Sequence, residues 1–329
     1  MVSPIPIAVP VETPAKINLH LGVGPLRKDG YHELVTVFQA LNITDSVVAE
    51  AARSGLSIEV WAGVDEVEAQ AVPNDETNLA YQAAALLQRE CGVKKGAKLS
   101  IEKNIPVAGG MAGGSSDAAG ALLACNALWG LDLSLSQLTG YAAELGSDVP
   151  FALHGGTALG SSRGEVLTPV LTTGTFHWVV ATSFRQLSTA AVYAQYDKLK
   201  KGSKIPNPEI PAELMSALRQ HDLELLGHSL YNDLQQAAVS LMPELDLLLE
   251  SGIDYGALGA MISGSGPTCV FLARDHEHSI ELALALSTTG LCSAARLAQG
   301  PAPGARIITA PPDLTPVVIE NPPGPRRAD

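Results

Sequence analysis

The chain has 329 residues, of which 46% are apolar and only 5% aromatic, so it can fill a sizeable core, one built from aliphatic side chains between closely approaching backbones. Its net charge of −13, without any Lys/Arg cluster, excludes a general nucleic-acid surface or an anionic membrane as partner, because clustered cations hold both. The four cysteines, Cys91, Cys125, Cys269 and Cys292, stand far apart with no C-x-x-C spacing, which points to reduced thiols rather than a metal cluster.

Met1 to Pro14 has no basic start followed by an apolar run, and nowhere does the chain sustain the roughly 20 apolar residues of a membrane span, so a cytoplasmic protein is expected. Pro4, Pro6, Pro10 and Pro14 read as an extended lead-in. Ala15 to Leu21 then alternates as a strand does, with Ile17, Leu19 and Leu21 on the packing face and Lys16, Asn18 and His20 on the polar one. A glycine-rich turn leads through Tyr31 and His32 to a second strand at Val35 to Phe38.

A helix is predicted from Thr77 to Gly92, a strand from Lys98 to Glu102, and helices over Asp117 to Trp129 and Leu135 to Leu145. Thr175 to Thr182 has buried-strand character. Beyond it, helical stretches (Ala190 to Leu199, Pro211 to Gln220, Asn232 to Ser251) alternate with strands at Gly259 to Ile262 and Cys269 to Leu272, as a mixed sheet with covering helices requires. The expected organisation is an N-terminal domain over 1–170, a C-terminal domain over 171–310, and a proline-rich, disordered tail over 311–329. His276 and His278 read as surface residues.

The most unusual segment runs from Pro106 to Ser116, with four glycines in six positions and two serines opening a helix. Glycine lets the backbone approach a ligand and tolerates the positive φ values that converge successive N–H groups on one point. The first-turn amides of the following helix have no intrahelical partner and sit at the positive end of the dipole, so an anion belongs at Gly113 to Ser116. An ordinary glycine-rich loop with a serine cap is the plain alternative. The segment matches neither G-x-x-x-x-G-K-[ST] nor the dinucleotide G-x-G-x-x-G in its strand-turn-helix setting.

The run Pro106-Val107-Ala108-Gly109-Gly110-Met111-Ala112-Gly113-Gly114-Ser115-Ser116-Asp117-Ala118-Ala119 resembles the second motif of the GHMP kinases, P-x-x-x-G-L-G-S-S-A-A, with Met111 for Leu and an extra Gly-Gly before the serines. Pro14 to Leu19, with Arg27, Asp29, Gly30, Tyr31 and His32, is similar to the family's first motif, and Met261 to Phe271 to its third glycine-rich turn. The three motifs occur in the family's order and span nearly the whole chain.

The resemblance implies a two-domain GHMP kinase fold of α+β class, with a ribosomal-protein-S5-domain-2-like α/β domain followed by a ferredoxin-like α+β domain. It implies that Pro106 to Ser116 wraps the phosphates of ATP and that Ser115 or Ser116 faces Mg²⁺. Lys103, just before the loop, is expected beside the nucleotide, a solvated lysine being the alternative. Gly146 to Phe151 resembles the segment carrying the family's aspartate base, which makes Asp148 the general base, with Lys16 hydrogen-bonded to it and to the acceptor hydroxyl.

The departures in the second motif are those of the branch that phosphorylates the 2-hydroxyl of 4-diphosphocytidyl-2-C-methyl-D-erythritol, a small-molecule substrate of isoprenoid precursor synthesis. That branch stacks cytosine between two aromatics and reads its edge with a histidine. Tyr31 and His32 match the first aromatic and the histidine; Tyr193 is the expected second aromatic, with Phe184 as the other choice. Asn18, Gly264 and Ser265 complete the expected substrate site. A GHMP kinase for homoserine or a mevalonate-type alcohol, or a non-catalytic nucleotide or sugar sensor, are the rival readings. A monomer or homodimer is expected.

Overall fold

The computed structural model describes residues 7–63, 72–107, 109–309 and 318–320. In chain order the first part contains β1 (Ala8–Leu26), β2 (His32–Ala52), β3 (Leu56–Ala62), α1 (Leu79–Glu90), β4 (Gly96–Lys103), α2 (Gly113–Trp129), α3 (Leu135–Leu145), α4 (Val149–His154), β5 (Thr157–Ser162) and β6 (Val166–Pro169). There follow β7 (Phe176–Thr182), α5 (Thr189–Leu199), α6 (Ala212–Gln220), α7 (Leu223–Ser229), β8 (Tyr231–Asn232), α8 (Gln235–Leu241), α9 (Glu244–Asp254), β9 (Gly259–Ile262), β10 (Cys269–Ala273), α10 (His276–Thr288), β11 (Ala294–Gly300), β12 (Arg306–Ile307) and β13 (Val318–Glu320).

The polarity alternation that marks the start of the chain extends into a long antiparallel hairpin of β1 and β2, with Ala8 opposite Glu50 and Leu26 opposite His32. Pro14 has no N–H for the ladder, and the register shifts immediately after it, again between Asn18 and His20. Between the two shifts Ala15 to Asn18 still pair with Leu41 to Phe38, and after the second His20 to Val23 pair with Val37 to Leu34. The first half of β2 pairs with β5 and its second half with β4, which β3 joins in parallel. The second sheet is antiparallel, in the order β13-β11-β7-β10-β9, so sheet membership changes between Pro169 and Phe176.

Helix α2 is rich in glycine and alanine and lies directly on the first sheet. A Cβ on Gly120 would stand 2.6 Å from the Thr13 methyl, so a bare α-carbon is what permits the approach. α2 begins at Gly113, four residues before the predicted start at Asp117. Glycine and serine are poor helix formers, but a first turn leaves its N–H groups unpaired in any case, and this one supplies them to the cavity described below. The two sheets share a core in which Ile17, Leu19 and Leu41 meet Trp178, Val270 and Leu272. Across it the Trp178 indole donates to Gln39 Oε1 at 2.9 Å, satisfying a fully buried amide.

The single helix expected over Asn232 to Ser251 is two, α8 and α9, because Pro243 cannot donate to the preceding turn and instead opens α9. His278 is buried rather than on the surface, its Nδ1 accepting the Arg274 N–H at 3.1 Å. Cys125, Cys269 and Cys292 are buried and Cys91 is half-buried. Within the tail expected to be disordered, Val318–Glu320 pairs with β11; the rest of 311–329 lies outside the described residues, as do Pro4 and Pro6. Among the described residues no helix is long and apolar enough to cross a membrane.

Candidate active site

A cavity of about 1030 Å³ opens where the polar face of β1, the glycine-rich loop, the turn before α4, the turn after β9 and the face of α5 come together. Lys16, Asn18, Tyr31, His32, Pro106, Gly109, Gly110, Ala112, Gly113, Gly114, Ser115, Asp148, Tyr193, Gly264 and Ser265 all line it. Most of the residues expected at the site are therefore brought to one place, although they are spread over 250 positions of sequence.

The loop is held from two sides. Lys16 N–H donates to the Met111 carbonyl at 3.2 Å, using a β1 amide next to the register shift, while Ser263 Oγ donates to the Gly110 carbonyl at 3.2 Å. Gly110 has φ +76° and Ala112 φ +60°, two left-handed residues that swing the chain into α2. Ala112 caps α2 without a side-chain hydrogen bond, so the first-turn amides of Gly113, Gly114 and Ser115 are not covered from that side. Met111 is buried in the core and contributes backbone only. Val107 is not among the lining residues, and Ala108 lies outside the described ones.

The two serines separate. Ser115 lines the cavity, whereas Ser116 is buried and its hydroxyl donates to the Pro14 carbonyl at 2.6 Å. Of the two candidates for a metal contact, Ser116 is thus fixed as a tie between α2 and β1.

Lys103 is corrected more strongly. It lies beneath the loop, 3.1 Å from where a Gly113 Cβ would sit, buried and paired with Asp117 at 2.7 Å and with Asp45. Asp45 also accepts the amides of Asn104 and Ile105, anchoring the strand that feeds the loop. Burial disfavours the Lys103 ammonium, but Asp117 and Asp45 outweigh it and hold its pKa above the ordinary lysine value. Burial, with the second carboxylate adding to it, pushes Asp117 upward against the pull of Lys103. A lysine so enclosed is unavailable to a nucleotide. Lys103→Met, which strands two buried carboxyl groups, is expected to lower the unfolding free energy by about 3–5 kcal/mol in urea titrations.

Lys16 occupies a well of acceptors. Its Nζ donates to Asn18 Oδ1 at 2.7 Å and to the Gly110 carbonyl at 2.9 Å, and it lies 5.6 Å from the centre of the Phe38 ring. Asn18 is oriented by Thr36, whose Oγ1 accepts from Nδ2 at 2.8 Å and donates to the His20 carbonyl. Asp148 Oδ2 is 3.9 Å from Nζ, an ion pair rather than the direct hydrogen bond expected, because the ammonium protons face Asn18 and the loop. Burial lowers the Lys16 pKa from its ordinary value and the Asp148 charge works against that. Asp148 is the N-cap of α4 but makes no capping bond, so its carboxylate, 32% exposed, remains available in the cavity.

At the other end, Tyr31 is exposed and Arg163 lies over its ring, 5.2 Å from the centroid. The His32 ring is buried and stacked on Tyr193, 5.6 Å between centroids at 24°. Its Nδ1 donates to the Gly24 carbonyl at 2.8 Å, and Nε2 is 3.2 Å from Asp197 Oδ1. The side chain expected to read a base edge therefore has both nitrogens engaged within the protein. Of the two candidate second aromatics, Tyr193 lines the cavity and Phe184 is a solvent-exposed residue outside its lining. Gly264 has its carbonyl held by Asn232, and Ser265 Oγ meets Thr189 Oγ1 at 2.9 Å.

Arg163, Asp197, Thr36 and Phe38 line the cavity without having been singled out in the sequence. Asp197 follows Tyr193 by one helical turn, a spacing that signals a shared face once Tyr193 is placed. Arg163 sits in a Gly/Ser-rich hairpin that carries no comparable signal.

Residues 78–156 match the GHMP kinases N terminal domain and residues 214–291 the GHMP kinases C terminal domain. A 4-diphosphocytidyl-2-C-methyl-D-erythritol kinase of Rhodococcus jostii is 50% identical over 94% of this chain and 97% of its own length. The crystal structure of a 4-(cytidine 5'-diphospho)-2C-methyl-D-erythritol kinase superposes with a TM-score of 0.73 at 32% identity, covering 88% of this chain and 98% of that one. A homoserine kinase from Cytophaga hutchinsonii reaches the same TM-score at 19% identity over 94% and 99%, a likeness of fold alone. With the motifs in family order and relatives of this similarity along nearly the full length, the chain belongs to the GHMP kinase family.

Proposed function

We infer that this enzyme transfers the γ-phosphoryl group of ATP to the 2-hydroxyl of 4-diphosphocytidyl-2-C-methyl-D-erythritol, giving the 2-phosphate and ADP, in the non-mevalonate route to isoprenoid precursors. The observation that carries the reading is the placement of Lys16 and Asp148 between an uncapped helix N-terminus and an aromatic end of one cavity. The relatives at about half identity bear the same enzyme name.

On this reading the amides of Gly113 to Ser115 hold the triphosphate, and the acceptor lies toward α5 with its base near Tyr31 and Tyr193. Asp148 takes the proton of the attacking hydroxyl as the oxygen bonds to the γ-phosphorus and the bond to the β-bridging oxygen breaks. Lys16 faces the same point as a cation that offsets charge on the transferring group. Mg²⁺ fits the donor chemistry: Ser115 offers a hydroxyl to an ion held mainly by phosphate oxygens and water. When bound, it neutralises phosphate charge.

ADP release measured with this acceptor, homoserine and mevalonate at fixed ATP tests the assignment. Turnover is expected with the cytidylated acceptor alone. Comparable turnover of either other alcohol would replace it with a neighbouring kinase activity, and transfer to none of the three would favour a nucleotide sensor.

A further inference from the structure

We propose that Arg163 holds the diphosphate of the acceptor, pairing its two terminal guanidinium nitrogens with phosphate oxygens. The proposal rests on the reading above of an acceptor whose nucleoside and reacting alcohol are joined through a diphosphate.

The charge balance of the cavity requires a cation for such a bridge. Asp148 and Asp197 both line it and both are partly exposed, so a diphosphate enters against two carboxylates. Among the described residues only Lys16 and Arg163 bring a lysine or arginine side chain to the lining. Lys16 is committed at the other end: its Nζ donates to Asn18 Oδ1 and the Gly110 carbonyl, and its charge faces Asp148. Arg163 is left for the bridge.

The hairpin between β5 and β6 presents Arg163 at its tip. Ser162 and Gly164 on either side have φ +65° and +106°, left-handed values that turn the chain sharply. Glu165 clamps that turn by accepting the Arg163 N–H at 2.8 Å and the Ser162 hydroxyl at 3.2 Å. Arg27 Nη1 donates to Ser162 Oγ at 2.7 Å and ties the tip to the turn that carries Tyr31. The guanidinium is thereby placed over Tyr31 and is 33% exposed. Among the described residues its ionic partner is Glu165, reached through Nε at 3.4 Å, which leaves Nη1 and Nη2 as a planar fork. Such a fork matches two phosphate oxygens at once, and it stays charged at every working pH.

Equilibrium binding of CDP and cytidine to the full-length wild type, Arg163→Met and Arg163→Lys, with a non-hydrolysable ATP analogue filling the loop, tests this. Wild type is expected to bind CDP at least about 10-fold more tightly than cytidine, the effect of one charged hydrogen bond. Arg163→Met keeps an apolar stem beside Tyr31 but no charge, so CDP affinity is expected to fall about 10-fold and to come within about 3-fold of that for cytidine. Arg163→Lys, a point charge without the fork, should fall between the two. The CDP affinity of Arg163→Met should also decline less steeply than that of wild type as KCl is raised. A guanidinium that only steadies the Tyr31 ring would weaken both ligands by the same factor and leave the salt dependence unchanged. That result overturns the assignment while the nucleoside site stands. Failure of CDP and cytidine alike to bind the wild-type protein overturns the site reading and the assignment together.

Discussion

Asp148→Asn is expected to lower kcat by about 10²–10⁴-fold, the range over which a positioned proton acceptor contributes. Asparagine keeps the size and the N-cap position of the residue but cannot take the hydroxyl proton. The fold has little stake in the carboxylate: it makes no capping hydrogen bond, and its ionic partner among the described residues, Lys16, is held independently by Asn18 and the Gly110 carbonyl. Thermal stability should therefore be close to wild type while turnover collapses. The variant also carries a signature in pH. Burial already lowers the Lys16 pKa and the Asp148 charge restrains that fall. Removing the charge lets the pKa drop further, so the ammonium deprotonates at lower pH and the alkaline limb of the residual activity moves downward. Undiminished ADP release would remove Asp148 as the base, and an unmoved alkaline limb would uncouple it from Lys16.

The features legible in the sequence are those whose cause is local. β1 shows because its polar and apolar residues alternate, and the polar face that emerged, Lys16 and Asn18, is the one that lines the cavity. The glycine-rich loop shows because four glycines in six positions ahead of a helix leave a backbone free to approach a ligand. Only four of the 21 residues of β2 stand out as a strand in the sequence, since buried polar side chains such as Gln39 and Asp45 interrupt the apolar pattern and are satisfied by partners distant in sequence. Lys103 illustrates the same limit at the site. Its neighbour along the chain is the loop, but its electrostatic partners are 14 and 58 positions away, and they decide where its charge goes. His32 was identified as a site residue, yet the groups that bind its nitrogens, Gly24 and Asp197, come from a turn and a helix that periodicity cannot bring together.

Gly110→Ala is expected to reduce kcat/KM for ATP by about 100-fold or more, the loss that follows when reacting groups are displaced by roughly 1 Å. A φ of +76° strains any residue with a side chain, by roughly 1–2 kcal/mol. Strain is the smaller part. A Cβ at this position would collide with the Ser263 carbonyl oxygen, which accepts the Gly266 amide at 2.9 Å, so the turn of the third motif must move. The Gly110 carbonyl meanwhile accepts from both Ser263 Oγ and Lys16 Nζ, and any shift of the loop carries Lys16 out of register with Asp148. One methyl group thus disturbs at once the loop proposed to hold phosphate and the Lys16–Asp148 pair proposed to act on the acceptor. Gly130→Ala separates the two causes, because Gly130 has φ +63° at the far end of α2 with open space around its α-carbon. Both variants should melt a few degrees below wild type, but only Gly110→Ala should lose nucleotide affinity and turnover; equal activity in the two would mean that the contact between loop and turn does not position the reaction.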